Sequence, residues 1–379
     1  MQSIFKMGRM GRIYLAYRRR QAALQHLPLR LWIETASCCN LRCVMCPNKD
    51  VAANAKGLMP LELFQKIIDQ ARHFALDVNL HHRGEPLMNP ALFDMIRYAN
   101  AAGLKVRFHT NGALLDEVKA RRLLEAGPAL VSFSFDGFTK ETYERVRVGA
   151  TFEKTRGNIL RLVALRRELG LKKPYVVIEK IRFRNQTAGD APAVAGDPAV
   201  AGDPAVAGDP TAVQALQRQF LDAGVDEIIE KEEYVWAEPS APEVKPPAIR
   251  RLTDSAAGGP DAPEVGGDRV FTACTFPWYA MVICADGTVT PCPQDFHAVL
   301  KLGNARETSL KEIWNGPAYR QLRAQFATDV ESLTICRKCD RLRRKTVGGV
   351  PWQYMATFLT DQLLSYGRLR KWLGTHERN

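Results

Sequence analysis

Between residues 31 and 236, apolar positions follow two spacings in turn. Short apolar runs of strand length are separated by longer segments in which apolar residues recur every three to four positions. In residues 60–74, for example, Leu61, Phe64, Ile67 and Ile68 fall on one helical face. The pattern predicts strands at residues 31–36, 77–82, 104–110, 129–135, 174–183 and 226–236.

A helix is predicted between each pair of successive strands. Several carry end signals, such as Asp116 as an N-cap and a glycine after the last apolar turn. Alternating strands and helices favour parallel strands joined by right-handed crossovers. We therefore expect an α/β fold, a partial (β/α)6 barrel similar to a TIM barrel, with its chemistry in the loops after the strands. The helices are predicted at residues 60–74, 90–102, 116–126, 152–169 and 211–223.

Two stretches interrupt this order and suggest boundaries. The hexapeptide AVAGDP occurs three times between residues 193 and 210, which predicts a flexible surface insertion over 187–210. A Pro-, Gly- and Ala-rich stretch resembles an interdomain linker. The predicted organisation is a basic extension (1–30), the barrel (31–236), the linker (237–269), a small cysteine module (270–345) and a C-terminal amphipathic helix (346–379).

Composition narrows the class of protein. The chain has 379 residues, 46% of them hydrophobic, and the sequence shows neither a membrane-spanning run nor a secretory signal. Nine cysteines in such a chain favour metal or redox chemistry in a reducing cytoplasm over disulfides. The net charge of +12 fits either a solvated basic surface or an anionic partner. Nucleic acid is not expected as a partner, because no aromatic stacking pattern accompanies the charge.

The basic extension, residues 1–30, allows two interpretations. Its apolar residues alternate with Lys and Arg, so it could pack along the outside of the barrel or lie on a membrane surface. Packing on the protein is the expected arrangement.

The candidate chemistry begins in the loop after the first strand. Cys39, Cys43 and Cys46 have the spacing C-x3-C-x2-C, and three such thiolates can hold three corners of a cubane iron–sulfur cluster. With no fourth cysteine following nearby, one iron would keep an open position for a ligand. Zinc is the alternative, but it needs four ligands, commonly in two pairs. Cys38 lies outside the spacing and is expected to be a packed or solvent-side thiol.

This loop resembles the signature of the radical S-adenosylmethionine (radical SAM) superfamily. The resemblance implies that the open iron of a 4Fe-4S cluster binds SAM, whose reductive cleavage releases a 5′-deoxyadenosyl radical that takes a hydrogen atom from the substrate. It also implies that Met45 fills an apolar position near the adenine.

Further matches follow the later strands. The turn Gly84-Glu85-Pro86 resembles the family's Gly-Glu-Pro turn, which receives the SAM ammonium group. The remaining SAM contacts implied by the resemblance are Asn111 after strand three, Ser134 at the ribose, Asp136, and Arg147 at the SAM carboxylate.

Three histidines near the strand ends have no assigned role. Each could contact substrate or be a hydrogen-bonded structural residue. They are His81, His82 and His109.

The C-terminal module carries Cys274, Cys292, Cys336 and Cys339, the last two as C-x2-C. It resembles the SPASM/twitch class of auxiliary-cluster domains, and four cysteines would fully ligate one auxiliary 4Fe-4S cluster. A zinc ribbon is the alternative. Cys284 is left over, either as a residue of the hairpin core or as a hydrogen-atom donor.

The predicted activity is that of a radical SAM oxidoreductase. The first cluster would generate the radical, and the fully ligated auxiliary cluster would accept an electron from a small polar substrate such as a sugar or aminocyclitol. A flavodoxin or ferredoxin would serve as electron donor. The alternatives are a peptide or protein maturase, a redox-neutral epimerase using Cys284, and a zinc-binding interaction protein without enzymatic activity.

Overall fold

The computed structural model describes residues 2–51, 56–183, 210–232 and 274–337, together with 339, 342, 346–347 and 350–351. The predicted linker, the predicted C-terminal helix beyond residue 351 and nearly all of the predicted insertion lie outside the described residues. The limits of the predicted domains stay predictions.

Six parallel strands form the main sheet, and each pairs with the next along the chain. This confirms the predicted α/β class and the partial barrel. The strands are β1 (Arg30–Ile33), β2 (Asp77–Asn79), β3 (Lys105–Thr110), β4 (Leu130–Ser134), β5 (Tyr175–Arg182) and β6 (Glu227–Glu232).

Helices connect these strands and cover one face of the sheet. Their apolar sides pack on Val78, Val106, Val131 and Val176, which belong to the same buried core. The opposite face of the strands points to the inside of the barrel. On β3 this face carries Arg107 and His109. The helices are α1 (Gln2–Arg18), α2 (Leu61–Ala71), α3 (Leu92–Ala101), α4 (Glu117–Ala126), α5 (Lys140–Val146), α6 (Phe152–Glu168) and α7 (Pro210–Ala223).

Local capping chemistry sets several of the helix ends. The Asp116 side chain accepts a hydrogen bond from the Lys119 amide at 2.8 Å, which begins α4 as predicted. Gly127 ends α4 with φ 66°, a conformation that favours glycine. Helix α5 was not predicted, because its seven residues are too few to show a helical period.

The C-terminal module continues the barrel sheet. Strand β7 (Ala280–Ile283) pairs in parallel with β1, and β8 (Thr288–Thr290) and β9 (Gly303–Asn304) follow it antiparallel. The Glu34 amide donates to the Ile283 carbonyl at 2.8 Å, so the pairing extends to the start of the cysteine loop. The module and the first barrel strand are therefore one continuous piece of backbone hydrogen bonding.

Short helices complete the module and meet the N-terminal helix. Trp278 contacts Tyr17 of α1 edge-on, with ring centroids 5.4 Å apart, and its indole N–H donates to the Gln21 carbonyl at 3.0 Å. The described N-terminal helix thus packs on protein. Within the described residues, no helix is both long and apolar enough to cross a bilayer. The short helices are α8 (Phe276–Tyr279), α9 (Leu310–Asn315), α10 (Pro317–Thr328) and α11 (Thr334–Arg337).

Candidate active site at the barrel mouth

The cysteine loop lies at the carboxyl end of β1, and backbone hydrogen bonds hold it in place. The Arg42 amide donates to the Val148 carbonyl at 2.9 Å, and the Val44 amide donates to the Val146 carbonyl at 3.0 Å. These two bonds hold the segment around Cys43 against the end of α5. Backbone hydrogen bonds therefore anchor the loop on both sides of Cys43.

The three predicted ligands are shielded from solvent. Cys43 is buried, and Cys39 and Cys46 are half-buried. Burial raises the pKa of Cys39 to about 12 and also raises the pKa values of Cys43 and Cys46. Because iron binds the thiolate, assembly of a cluster there would release protons.

Hydrogen-bond donors surround these sulfur atoms. The backbone amide of Leu41 lies 3.5 Å from the Cys39 sulfur, and the side-chain amide nitrogen of Asn111 lies 3.8 Å from the same sulfur. The Arg147 guanidinium lies 3.8 Å from the Cys43 sulfur. Donors aimed at sulfur stabilise negative charge on a thiolate ligand, so this environment suits a cluster held by three cysteines.

Gly84 lets the predicted SAM turn press against the cysteine loop. A Cβ atom at Gly84 would lie 2.3 Å from the Cys38 carbonyl oxygen and 2.4 Å from that of Ala36. The next residue, Glu85, donates its amide to the same Cys38 carbonyl at 2.9 Å. Only glycine permits this approach, as the sequence predicts.

The Glu85 carboxylate is held from three sides. It accepts hydrogen bonds from the Thr110 hydroxyl at 2.7 Å, the Asn111 amide at 2.7 Å and the Leu87 amide at 3.0 Å. Burial raises the pKa of Glu85, and these three donors work in the opposite direction. Three hydrogen bonds from the protein therefore hold the carboxylate in place, and the Glu85 and Pro86 carbonyls accept from the Met88 and Asn89 amides at 3.1 and 3.0 Å.

Asn111 connects the third strand to the cysteine loop. Its side-chain nitrogen donates to Asn40 at 2.9 Å. Another asparagine, Asn48, ties the loops below, donating to the Ser37 and Arg83 carbonyls at 2.8 and 2.9 Å. The sequence analysis did not single out Asn40 or Asn48, and neither stands in a pattern that would reveal a long-range bridge.

Asp136 and Arg147 are both buried and form an ion pair with each other. The second oxygen of Asp136 accepts the Ile181 amide at 2.6 Å. Arg147 Nε is buried and has no hydrogen-bond partner among the described residues, so one donor of this side chain remains for a ligand. The expected contact of Arg147 with the SAM carboxylate stays a prediction.

Ser134 and Met45 complete the predicted set. Ser134 is the last residue of β4 and pairs in register with Glu179. Met45 is half-buried and packs beside Val146 and Phe183. Both positions border the cysteine loop side of the barrel, and their contacts with ribose and adenine stay predictions.

The four cysteines of the C-terminal module converge. Cys274, Cys292, Cys336 and Cys339 line one enclosed cavity, together with apolar side chains such as Phe276. Burial and the neighbouring cysteines raise the pKa of Cys336 well above its usual value. A closed set of four thiols in an apolar cavity is the donor set of a fully ligated cluster.

Cys284 is not part of this group. It is buried outside that cavity, where burial and then the charge of Glu34 raise its pKa and Arg83 acts in the opposite direction. Glu34 and Arg83 form a bidentate ion pair with two contacts of 2.6 Å, and Glu34 also accepts the Ala285 amide at 2.9 Å. Cys284 therefore lies where the C-terminal module meets Arg83, the residue that precedes the Gly-Glu-Pro turn.

A second polar cluster, which we call the lumen cluster, occupies the inside of the barrel and comprises His81, His109, Glu179 and Lys231. The rings of His81 and His109 are in contact, with centroids 3.9 Å apart and an interplanar angle of 40°. Glu179 contacts His109 Nδ1 at 3.4 Å and accepts from Lys231 at 2.6 Å. Sequence reasoning noted the histidines but missed Glu179 and Lys231, although charges that interrupt the apolar strands β5 and β6 were a usable signal.

Comparison with known families agrees with this geometry. The model of the radical SAM superfamily matches residues 33–179, and the model of the SPASM iron–sulfur cluster-binding domain matches residues 274–340. The chain belongs to the radical SAM superfamily and carries a C-terminal SPASM domain.

Relatives of this radical SAM enzyme differ in how much of the chain they cover. A tungsten-containing aldehyde ferredoxin oxidoreductase cofactor-modifying protein of Pyrococcus furiosus is 27% identical over 340 residues, which are 82% of this chain and 86% of that protein. An AdoMet-dependent heme synthase of Methanosarcina barkeri is 31% identical over 138 residues, only 36% of this chain and 40% of its own.

Solved structures share the fold. Streptococcus suis SuiB bound to precursor peptide SuiA superposes with a TM-score of 0.55 at 16% identity, covering 87% of this chain and 73% of its own. BtrN in complex with AdoMet and 2-DOIA gives 0.50 at 17% identity, covering 84% and 94%. Family membership implies a SAM-binding 4Fe-4S cluster and auxiliary SPASM cluster chemistry, and it removes the non-enzyme alternative.

Proposed function

We propose that this radical SAM enzyme is an oxidoreductase that dehydrogenates a small, polar, oxygen-rich molecule with a single auxiliary 4Fe-4S cluster. When bound, the first cluster and SAM supply a 5′-deoxyadenosyl radical, and the auxiliary cluster supplies an acceptor for one electron. A low-potential protein such as a flavodoxin or ferredoxin is the proposed donor of the first electron.

The residues of the cysteine loop and its neighbours have separate roles in this proposal. Cys39, Cys43 and Cys46 hold the first cluster and leave one iron open. The surrounding residues position SAM: the turn at Gly84, Glu85 and Pro86, then Met45, Asn111, Ser134, Asp136 and Arg147.

The convergence of Cys274, Cys292, Cys336 and Cys339 in one cavity carries the oxidoreductase proposal. Four protein ligands leave no open position for substrate, so a cluster held there suits electron transfer and not substrate binding. Each of the other described cysteines lies outside this cavity: Cys284 is buried beside Glu34 and Arg83, and the rest are in the first loop. One auxiliary cluster therefore accounts for the thiols of the module.

The substrate class rests on the barrel lumen and on the relatives. The lumen cluster offers charged and hydrogen-bonding groups, and the net charge of +12 favours an anionic substrate. BtrN was crystallised with 2-DOIA, and the relative from Pyrococcus furiosus is named for modifying a cofactor. We therefore propose a sugar, an aminocyclitol or a related small molecule, including a cofactor precursor of that polarity.

A labelled substrate panel tests the proposal. Anaerobic, reconstituted and reduced enzyme is incubated with SAM and deuterated hexoses, hexose phosphates, cyclitols and aminocyclitols. Transfer of deuterium into 5′-deoxyadenosine, with a product two hydrogens lighter, supports dehydrogenation. Deoxyadenosine that never carries the label from any member contradicts the proposed substrate class.

A redox-neutral epimerase is the second candidate, because of the position of Cys284. Its thiol is buried beside Arg83 and Glu34, and burial followed by the charge of Glu34 raises its pKa. A thiol that keeps its proton is the form that can return a hydrogen atom to a substrate radical. Incubation in deuterated water separates the candidates: deuterium at the reacting carbon that disappears in Cys284→Ala supports epimerisation, and a carbonyl product supports oxidation.

A further inference from the structure

The lumen cluster places an oriented imidazole inside the barrel, outside the set of residues assigned to SAM. His81 follows β2 and His109 is the penultimate residue of the adjacent β3, while Glu179 on β5 pairs in register with Ile229, two residues before Lys231 on β6. His109 stands two residues before Asn111, which contacts the sulfur of Cys39. The cluster and the SAM turn therefore occupy the same end of the same strands.

The contact with Glu179 determines which nitrogen of His109 carries a proton. Burial alone would raise the pKa of Glu179, but His109 and Lys231 lower it well below its usual range, so the side chain is a carboxylate. A carboxylate only accepts hydrogen bonds, and the nearest nitrogen of His109 is Nδ1, at 3.4 Å. In the neutral form of the ring, this contact places the proton on Nδ1 and leaves the lone pair on Nε2.

The neighbouring ring of His81 stays neutral. Burial and then the neighbouring His109 lower the pKa of His81 well below its usual value. Charge on both rings would be repulsive at a centroid separation of 3.9 Å. Of the two rings, His109 is the one that contacts the carboxylate of Glu179.

Unpartnered polar atoms around His109 indicate that this space receives a polar ligand. Ser132 pairs in register with His109, and its buried hydroxyl has no hydrogen-bond partner within the described part of the chain. The same holds for His81 Nδ1 and for the side-chain nitrogen of Asn79. A buried polar atom without a hydrogen-bond partner costs free energy of folding. A substrate that carries hydroxyl or amino groups would supply those hydrogen bonds.

We propose that His109 is the catalytic base that takes the substrate's O–H or N–H proton during dehydrogenation, with Glu179 and Lys231 as positioning residues. This assignment rests on the proposed function. The side chain of His109 is 23% exposed, so part of its ring is accessible to a ligand. Proton removal by a positioned imidazole is worth about 100-fold to 10,000-fold in rate.

The atoms and electrons of the step balance. The substrate C–H hydrogen atom goes to the adenosyl carbon, and the proton of the adjacent O–H or N–H goes to Nε2 of His109. One electron is left on the substrate and passes to the auxiliary acceptor, so a C=O or C=N bond forms. The substrate loses two hydrogens in total, and His109 later returns its proton to solvent.

The test compares His109→Gln with His73→Gln, a matched change at an exposed histidine. The probe is whichever deuterated panel member labels 5′-deoxyadenosine. In His109→Gln, deuterium transfer should persist, a substrate radical should accumulate in the electron paramagnetic resonance spectrum, and the oxidised product should fall by about 100-fold or more. The His73→Gln enzyme should match the wild type in all three. Product formed at the wild-type rate by His109→Gln overturns the proposal.

Glu179→Gln and Glu179→Asp separate positioning from a structural role. Glu179→Gln removes the carboxylate that fixes the ring, so product should fall by about 10-fold or more with SAM cleavage unchanged. Glu179→Asp restores a carboxylate and should recover part of that loss. Equal losses in both variants, accompanied by lower SAM cleavage, would indicate a structural role and contradict the assignment.

A second readout needs no substrate. Diethylpyrocarbonate modifies neutral, reachable imidazole nitrogens, and peptide mass spectrometry of the cluster-loaded enzyme reports each histidine separately. His109 should be modified, because its side chain is partly exposed, and an inert His109 overturns the proposal. If His109 is reactive but no panel member labels deoxyadenosine, the substrate class of the proposed function is wrong and the base assignment survives. If label transfers and product forms without His109, the base assignment alone fails.

Discussion

The two cysteine sites of this enzyme are built in opposite ways. Cys39, Cys43 and Cys46 come from one loop, close to polar donors and against the turn at Gly84. The cysteines of the SPASM domain come from separate segments and line an apolar cavity. In the proposed function, the first site has three cysteine ligands and keeps one iron open for SAM, whereas the second has four cysteine ligands and no open position. That difference would let one chain assign radical generation and electron acceptance to two sites with the same kind of ligand.

Removal of a loop cysteine should have the largest effect on SAM cleavage. Cys43→Ala takes away one of three ligands, so the site can no longer hold a cubane cluster with one open iron, and 5′-deoxyadenosine formation should be lost completely. Chromatography of the reduced reaction mixture measures this loss. Cys38→Ala is the matched control, since Cys38 is a neighbouring thiol outside the spacing, and it should retain cleavage. Cleavage by Cys43→Ala would refute the ligand assignment.

Removal of a SPASM cysteine should separate the two activities. Cys336→Ala should lower the iron content from about eight to about four atoms per chain, because only the first cluster remains. Cleavage of SAM should stay within about twofold of the wild type, since the sites share no side chain, while oxidised product is lost. Iron analysis and product analysis on one preparation check both results. Cys284→Ala, at the thiol outside the cavity, should keep the full iron content, and a loss of iron there would contradict the four-ligand set.

Features that depend on neighbouring residues could be predicted from the sequence, and contacts between distant segments could not. Helix α6 was predicted at residues 152–169 and is found at Phe152–Glu168, because its period and its end are local signals. The close approach at Gly84 was likewise predictable from a three-residue turn. The C-x2-C pair of Cys336 and Cys339 is local, but its meeting with Cys274 is not, and only the family resemblance indicated it.

Long-range pairings had no local signal. The parallel contact of β7 with β1 joins segments about 250 residues apart, so the sequence analysis treated the hairpin as part of a separate module. The bridge from His109 through Glu179 to Lys231 depends on three strands meeting inside the barrel. Periodicity shows which face of a strand is polar, but not which polar side chains will meet.

Gly84→Ala should damage the open site through geometry alone. The added Cβ would overlap the Cys38 and Ala36 carbonyl oxygens, so the turn must move away from the cysteine loop. A displacement of about 1 Å can cost about 100-fold in rate, and a loss of that order is expected for SAM cleavage. Gly57→Ala is the matched control, because a Cβ atom there meets nothing within 4 Å. Equal rates for both variants would show that the close approach does not matter to SAM binding.

Arg147→Lys should have the smallest effect on activity, and it tests whether the two cluster sites respond independently. Lysine keeps the positive charge opposite Asp136 but loses the planar fork that also reaches the Cys43 sulfur. The loss of one hydrogen bond is worth about 1 kcal/mol, so SAM cleavage should fall roughly fivefold. The reduction potential of the first cluster should become more negative, because a donor to its ligand sulfur is gone, while that of the auxiliary cluster stays constant. Spectroscopic redox titration resolves the two clusters, and Arg42→Lys, at an exposed position in the same loop, should shift neither. A shift of both potentials in Arg147→Lys would mean that the two sites are electrically coupled, and the division of labour between an open and a closed site would then have to be abandoned.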